Sequence, residues 1–312
     1  MPTADAFGPD VTVFRRLGRT ADERAWLRRL PDLVRRLETR WAVRTGQPYE
    51  GGTSSWAAPA TMSDGTPAVL KVAWPHREAR GESIGLLWWG GEGAPIVYAT
   101  EPSVYAVLME RCDPGVSLAV ADLSPEDGLR AAATVLRKLW VVPPDGHGLE
   151  RLHDVCAEWA MTVRDRQQAL HPPFDPGLVT LGAHLLEYLP ASASREVLVH
   201  GDANPTNFLA AARQPWLLID AKPMVGDPGY DVAPLVLQLA SPLHEPHPAR
   251  VLYQRFGLLA DALGEPIERL LAWSVARSVE YALWCASRDE MAAGSEAMDT
   301  TAVLARLLAG GT

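Results

Sequence analysis

Cysteine is scarce in this chain: Cys112, Cys156 and Cys285 are the only three in 312 residues, and no two of them form a C-x-x-C. An odd count at wide spacing excludes a disulfide framework and a thiolate zinc site and points to reduced thiols. Long apolar runs are missing as well, none approaching the ~20 residues that a membrane-spanning helix needs. The opening M-P-T-A-D-A-F-G-P-D lacks the basic and apolar regions of a signal peptide, so a cytoplasmic protein is expected. No extended basic tract is present and the formal net charge is −9, which argues against nucleic acid or an anionic membrane as partner. Internal repeats and long low-complexity segments are also absent. What remains is 47% hydrophobic and 21% charged, ordinary for a soluble globular chain. The length suffices for two lobes with a real core, and a monomer or weak dimer is expected.

Residues 197 to 234 carry the densest chemistry: V-L-V-H-G-D-A-N-P-T-N-F-L, a spacer, then W-L-L-I-D-A-K-P-M-V-G-D-P-G-Y-D-V-A-P. Val197–Val199, Phe208–Ala210 and Trp216–Ile219 read as short buried strands. Polar residues that a strand does not favour interrupt them: His200, Asp202 and Asn207 in the first loop, Asp220 after the last strand. A carboxylate, an amide five residues later and a second carboxylate beyond a hairpin suit phosphoryl transfer. One acid accepts a hydroxyl proton; the amide and the other acid offer hard oxygen ligands to magnesium.

H-G-D-x-x-x-x-N, then I-D, then G-D-P-x-x-D resembles the aminoglycoside phosphotransferases, small-molecule relatives of protein kinases. The I-D-x-K-P wording is most similar to their streptomycin 6-kinase and hydroxyurea phosphotransferase branch. The resemblance runs from about Trp41 to about Ser287. It implies an α+β, protein-kinase-like fold of two lobes: residues 1–112 with a small antiparallel sheet, and residues 113–312, mostly helical. It further implies ATP (or GTP) and Mg2+ as cofactors and a small polyhydroxylated, cationic acceptor. Under it, Asp202 is the catalytic base and Asn207 and Asp220 hold the metal. His200 fixes the loop, while Asp227 and Asp231 brace it through backbone N–H groups, Asp231 also suiting a helix N-terminus. Lys222 and Asn204 are candidates to meet phosphate or acceptor, and a salt bridge suits Lys222 equally; Asn204 stands where many members carry histidine. D-A-K in place of D-F-G removes the phenylalanine switch of protein kinases.

Earlier in the chain, residues 1 to 19 are expected to be irregular, and Ala21–Arg40 to form an amphipathic helix with Pro31 as a candidate break. Strand periodicity follows from Trp41 to Trp74. Gly51 and Gly52 with Thr53, Ser54 and Ser55 do not match G-x-G-x-x-G and alone suit a hairpin turn. The resemblance places the nucleotide loop there, with Gly52, Thr53 and Ser54 as contacts. Lys71 is the lone charge in an apolar strand. Alone it suits an edge lysine snorkelling to water; the resemblance makes it the phosphate-binding lysine, braced by Glu82, with Glu78 second, on a helix His76–Trp89. Strands are expected at Pro95–Ala99 and Tyr105–Arg111. The resemblance implies an inter-lobe hinge at Leu108–Gly115 whose backbone meets adenine, with Glu110 and Cys112 as the positions expected there.

Helices then dominate: Ser124 to Trp140, Leu149 to Leu170, Gly177 to Leu189, Asp231 to Leu239, Ala249 to Leu263, Pro266 to Ser287 and about Ala297 to Leu308. Glu280, Trp284, Asp289 and Glu290 are the candidate acceptor pocket, against the simpler reading of core tryptophans and a solvated helix end. Three other readings compete with that of an aminoglycoside phosphotransferase. A binuclear metallophosphoesterase would need D-x-H at an early strand end and G-N-H; the former occurs only in a loop (Asp145-Gly146-His147) and the latter is absent. A pseudokinase scaffold would have lost the base or a metal ligand. A metabolic sugar kinase would carry the same catalytic residues. The resemblance implies ATP-dependent phosphorylation of a hydroxyl of an antibiotic, streptomycin-type first, conferring resistance, with a metabolic sugar or amino-sugar kinase as the alternative.

Overall fold

Thr20 opens the long helix of the first part of the chain by a reciprocal cap: its hydroxyl accepts from Glu23 N–H, and the Glu23 carboxylate accepts from Thr20, Arg19 and Gly18 N–H. In the computed structural model, which describes residues 4–310, the chain clusters into two units, Met1–Gly115 with Ala211–Pro215, and Val116–Ala210 with Trp216–Thr312.

The first unit holds α1 (Thr12–Arg16), α2 (Ala21–Trp41), β1 (Val43–Thr45), β2 (Ser55–Met62), β3 (Pro67–Ala73), α3 (Glu82–Trp89), β4 (Val97–Glu101) and β5 (Ala106–Glu110). The strands pair antiparallel in the order β1-β2-β3-β5-β4. Trp56, Ala58 and Ala60 alternate along β2 and Leu70 and Val72 along β3, so one face of the sheet is apolar. Trp26, Leu30, Val34 and Leu37 of α2 close over that face to form the core. The period of two then turns Lys71 to the opposite face.

Several expectations change here. The described part of the lead-in is not irregular: a 3-10 turn at Ala4–Phe7 precedes α1, and only its first three residues lie outside the described ones. Phe7 stacks on Trp56 at 5.5 Å, whose indole N–H donates to Ala6 O, so tertiary packing orders the segment. Pro31 does not break α2, because its buried stripe holds the helix through the one missing N–H. The helix expected from His76 begins only at Glu82, after a 3-10 turn at Glu78–Arg80.

The second unit is mostly helical. β6 (Pro114–Ser117) leads in; α4 (Pro125–Leu139), α5 (Leu152–Leu170) and α6 (Pro176–Ala191) precede four short strands, β7 (Val197–Val199), β8 (Phe208–Ala211), β9 (Trp216–Leu218) and β10 (Met224–Gly226). Then come α7 (Val232–Gln238), α8 (Pro248–Leu263), α9 (Ile267–Ala286) and α10 (Met291–Leu308). α9 is the central post, packed against α5, α6, α7, α8 and α10. β7 pairs with β10 and β8 with β9, both antiparallel. These two ribbons present their connecting loops, residues 200–207 and 219–223, side by side: Lys222 N–H donates to His200 O at 2.9 Å and Ile219 N–H to Asn207 O at 3.0 Å. β6 and β10 were not expected as strands; both are short and hold Pro114, Gly115 or Gly226, which a strand pattern does not signal. α10 begins earlier than Ala297, because Gly294 lets it approach Ala282 O and Phe174. No described helix is long and apolar enough to cross a membrane.

Candidate active site

In the first unit, Lys71 Nζ lies 2.5 Å from Glu82 Oε1, and both side chains are buried. Glu82 is the first residue of α3, eleven residues from Lys71, and follows the N-cap Gly81. Glu78 instead stands near His76 at 4.0 Å. The loop Gly51–Ser54 is tied at both sides. Gly51, at φ +116°, donates its N–H to Thr12 Oγ1 at 3.3 Å, and Trp74 N–H donates to Ser54 O at 2.8 Å. At Gly52 a Cβ would lie 2.5 Å from Ser55 O, so this tight turn admits only glycine. Thr53 is exposed and Ser54 half-buried beside it.

Glu110 ends β5. Its N–H donates to Ile96 O, and its carboxylate accepts from Ile96 N–H and grips Arg213 at 2.8–3.1 Å. Burial, helped by the Glu110 carboxylate, pushes the nearby Cys112 thiol up to about 12, so it is neutral at physiological pH.

In the second unit the loop after β7 is built from behind by Asp231. Its buried carboxylate accepts from His200 N–H (2.9 Å), Gly201 N–H (2.8 Å) and the Trp140 indole N–H (3.0 Å). It does not cap α7, as the sequence suggested, because these three donors take it. Asp227 likewise accepts from Gly229 N–H, Arg269 Nε (2.6 Å) and Trp273 Nε1 (2.7 Å). Trp140, Arg269 and Trp273 were not anticipated; they come from distant helices, and no local pattern marks them. His200 is fully buried, its Nδ1 accepts from Asp202 N–H, and burial holds its pKa below the usual histidine value.

Asp202 stands at the mouth of this loop, partly exposed. Asn204 Nδ2 donates to its Oδ1 at 3.0 Å, and Lys222 Nζ lies 3.2 Å from its Oδ2. Asn207 donates Nδ2 to Asp202 O at 2.9 Å, which turns its amide oxygen the other way. Asp220 is exposed, in a left-handed conformation (φ +60°) that short polar side chains tolerate. An amide oxygen and a carboxylate on adjoining loops form an all-oxygen donor pair, which fits a hard cation such as magnesium that completes its shell with water and phosphate. The described residues contain no cluster of three or more His, Cys, Asp or Glu able to hold a metal ion.

The expected acceptor residues have partners within the chain. Glu280 faces Arg166 at 3.6 Å. Trp284 stacks on Tyr281 and carries Arg288 over its ring at 5.0 Å, while Arg288 Nε lies 3.7 Å from Glu290. Asp289 is exposed at the end of α9. Cations of the chain itself thus meet the acid and the indole face.

Residues 40–289 match the model of a family described as aminoglycoside/hydroxyurea antibiotic resistance kinase. The chain is 33% identical over 288 residues to a streptomycin 6-kinase of Streptomyces glaucescens, covering 92% of this chain and 91% of the relative. It is 31% identical over 274 residues to a hydroxyurea phosphotransferase of Kitasatospora aureofaciens, covering 86% and 77%. Among solved structures, the choline kinase LicA from Streptococcus pneumoniae superposes with a TM-score of 0.60 at 13% identity, covering 88% of this chain and 99% of that one. LicA in complex with AMP matches as well, with a TM-score of 0.57 at 13% identity over 88% and 97%. The fold is α+β and protein-kinase-like.

Proposed function

The chain belongs to the aminoglycoside/hydroxyurea antibiotic resistance kinase family, and we propose that it transfers the γ-phosphate of ATP to a hydroxyl of a small antibiotic, streptomycin-type first. One observation carries the reading: within a chain of that family, Asp202 presents a carboxylate whose two oxygens are held by an amide and an ammonium on braced loops. Asp202 accepts the acceptor's hydroxyl proton. The acceptor oxygen bonds to the γ-phosphorus as the bond to the ADP oxygen breaks. Positioning and electrostatics supply most of the acceleration. Asn207 and Asp220 would hold magnesium, which when bound neutralises charge on the phosphates. Lys71, kept in place by Glu82, pairs with the donor phosphates, and the Gly52–Ser54 backbone lines them. Backbone groups near Glu110 and Cys112 meet the base, for ATP or GTP. The work is cytoplasmic, where ATP and reduced thiols coexist.

Because Arg166 and Arg288 already meet Glu280 and Trp284, the charge of the acceptor is the sharpest variable. The test is ATP consumption over streptomycin-type aminoglycosides, hydroxyurea, other antibiotics and free amino sugars, with the phosphorylated product isolated. Inhibitory concentrations in a sensitive host expressing the chain are measured alongside. Phosphorylated antibiotic with raised resistance supports the reading. Turnover on a free sugar alone moves the chain to the metabolic kinases, and no turnover on any compound sinks it.

A further inference from the structure

The basic residues number 29, yet only Lys71, Lys138 and Lys222 are lysines; all the others are arginine. A chain that draws its positive charge almost wholly from arginine uses the compact ammonium at three places, and two of them touch a carboxylate of the site, Glu82 and Asp202. In the proposed reaction Asp202 takes the proton, and no step is given to the Lys222 ammonium beside it.

Lys222 is built into the catalytic loop by its backbone. Its N–H donates to His200 O at 2.9 Å. Gly201 opposite it, at φ +86°, is so close that a Cβ there would lie 2.1 Å from Lys222 O. The close approach fixes where the Lys222 side chain starts, and from there Nζ reaches Asp202 Oδ2 at 3.2 Å. The other oxygen is fixed from the opposite side. Asn204 Oδ1 accepts from Thr206 N–H (3.0 Å) and Thr206 Oγ1 (2.5 Å), which settles which way round the amide lies and leaves Nδ2 for Asp202 Oδ1.

We propose that Lys222 is the positioning residue of the catalytic carboxylate: with Asn204 as its counterpart, it fixes the plane of Asp202 and so aims the remaining lone pairs at the acceptor hydroxyl. Asp202 is only 22% exposed in its side chain and Lys222 37%, so the pair is partly shielded while an acceptor can still reach the acid. This assigns to Lys222 and Asn204 a partner inside the protein rather than contact with phosphate or acceptor. The inference rests on Asp202 being the base.

Lys222→Met should lower kcat by about 10²-fold, as expected when a reacting group is misplaced by about 1 Å, with KM for nucleotide and acceptor nearly unchanged. Lys222→Arg, which keeps the charge with a different shape, should fall between Met and wild type. The decisive comparison is the cycle with Asp202→Asn: once the carboxylate is gone, Lys222→Met should cost little more. An undiminished Lys222 effect in the Asp202→Asn background would place its action on phosphate or acceptor and overturn the proposal, as would wild-type kcat for Lys222→Met. A second readout needs no turnover. Lysine ammonium groups labelled for NMR give few resonances in this chain, and that of Lys222, identified by its loss in Lys222→Met, should shift in Asp202→Asn; no shift overturns the pairing. If wild type phosphorylates nothing while the resonance does shift, the functional reading has failed and the contact stands. Loss of turnover in Asp202→Asn but not in Lys222→Met defeats this inference alone.

Discussion

In the proposed reaction the chemistry turns on a single carboxylate oxygen pair, that of Asp202. Replacing it by the near-isosteric amide in Asp202→Asn keeps the side chain's size, sets an NH2 against one of its two donors and removes the proton acceptor. We expect kcat to fall by about two to four orders of magnitude with nucleotide affinity nearly intact, checked by steady-state kinetics beside calorimetric titration. Near-wild-type turnover would remove Asp202 from the mechanism. Cys112 gives a pH prediction. Its folded thiol pKa is raised to about 12 from the ordinary 9.0, so the unfolded chain loses this proton first as pH rises. Its contribution to stability is thus complete below the unfolded value and is lost as pH climbs through the folded one. Alkylation of native Cys112 followed by mass spectrometry should accordingly be slow at pH 8 and accelerate only in strong alkali; rapid labelling at pH 8 would contradict the burial argument. Candidate residues of this kind stand out in the sequence where polar groups interrupt apolar strands, as Asp202, Asn207 and Asp220 do. Their supports do not. Trp140 lies 91 positions from Asp231 and Arg269 lies 42 from Asp227, and such partners leave no local pattern.

At the scale of elements, apolar period and caps announced most helices and strands. The failures fall where tertiary contact overrides local preference. α2 continues through Pro31 because Leu30, Leu33 and Val34 around it are buried. β6 and β10 exist through pairing that their proline and glycine conceal. Glycine inside a helix shows the same split in measurable form. Gly182 of α6 faces α9 so closely that an added Cβ would lie 2.5–2.7 Å from three atoms of Val279, whereas at Gly257 of α8 it would meet only Ile267 Cδ1 at 4.0 Å. Gly182→Ala should therefore destabilise by about 1–3 kcal/mol through overpacking. Gly257→Ala should stabilise by about 0.5–1 kcal/mol, since glycine is the costlier residue in a helix interior. Urea unfolding of both variants decides the matter, and equal signs would refute the close α6–α9 approach.

For the whole molecule the governing quantity is charge. The chain carries a formal −9, and the nucleotide it is proposed to bind is itself a polyanion. Among the groups proposed to meet the phosphates, Lys71 already faces Glu82, while Asp220 adds a further exposed carboxylate. Without a cation, Asp220 would repel the ligand; with magnesium it becomes a ligand donor, and the sign of its contribution reverses. Binding to the folded state alone raises stability by about 2.7 kcal/mol at a ligand concentration one hundred times Kd, so the reversal appears in thermal unfolding. We expect ATP with magnesium to raise the midpoint by a few degrees, ATP with EDTA to raise it far less, and Asp220→Ala to respond almost equally to both. In Lys71→Met the gap between magnesium and EDTA should persist, because that variant keeps the metal donors and loses only a phosphate contact. A wild-type midpoint that rises equally with and without magnesium would show that Asp220 is no part of a metal site and that the chain tolerates the polyanion by other means.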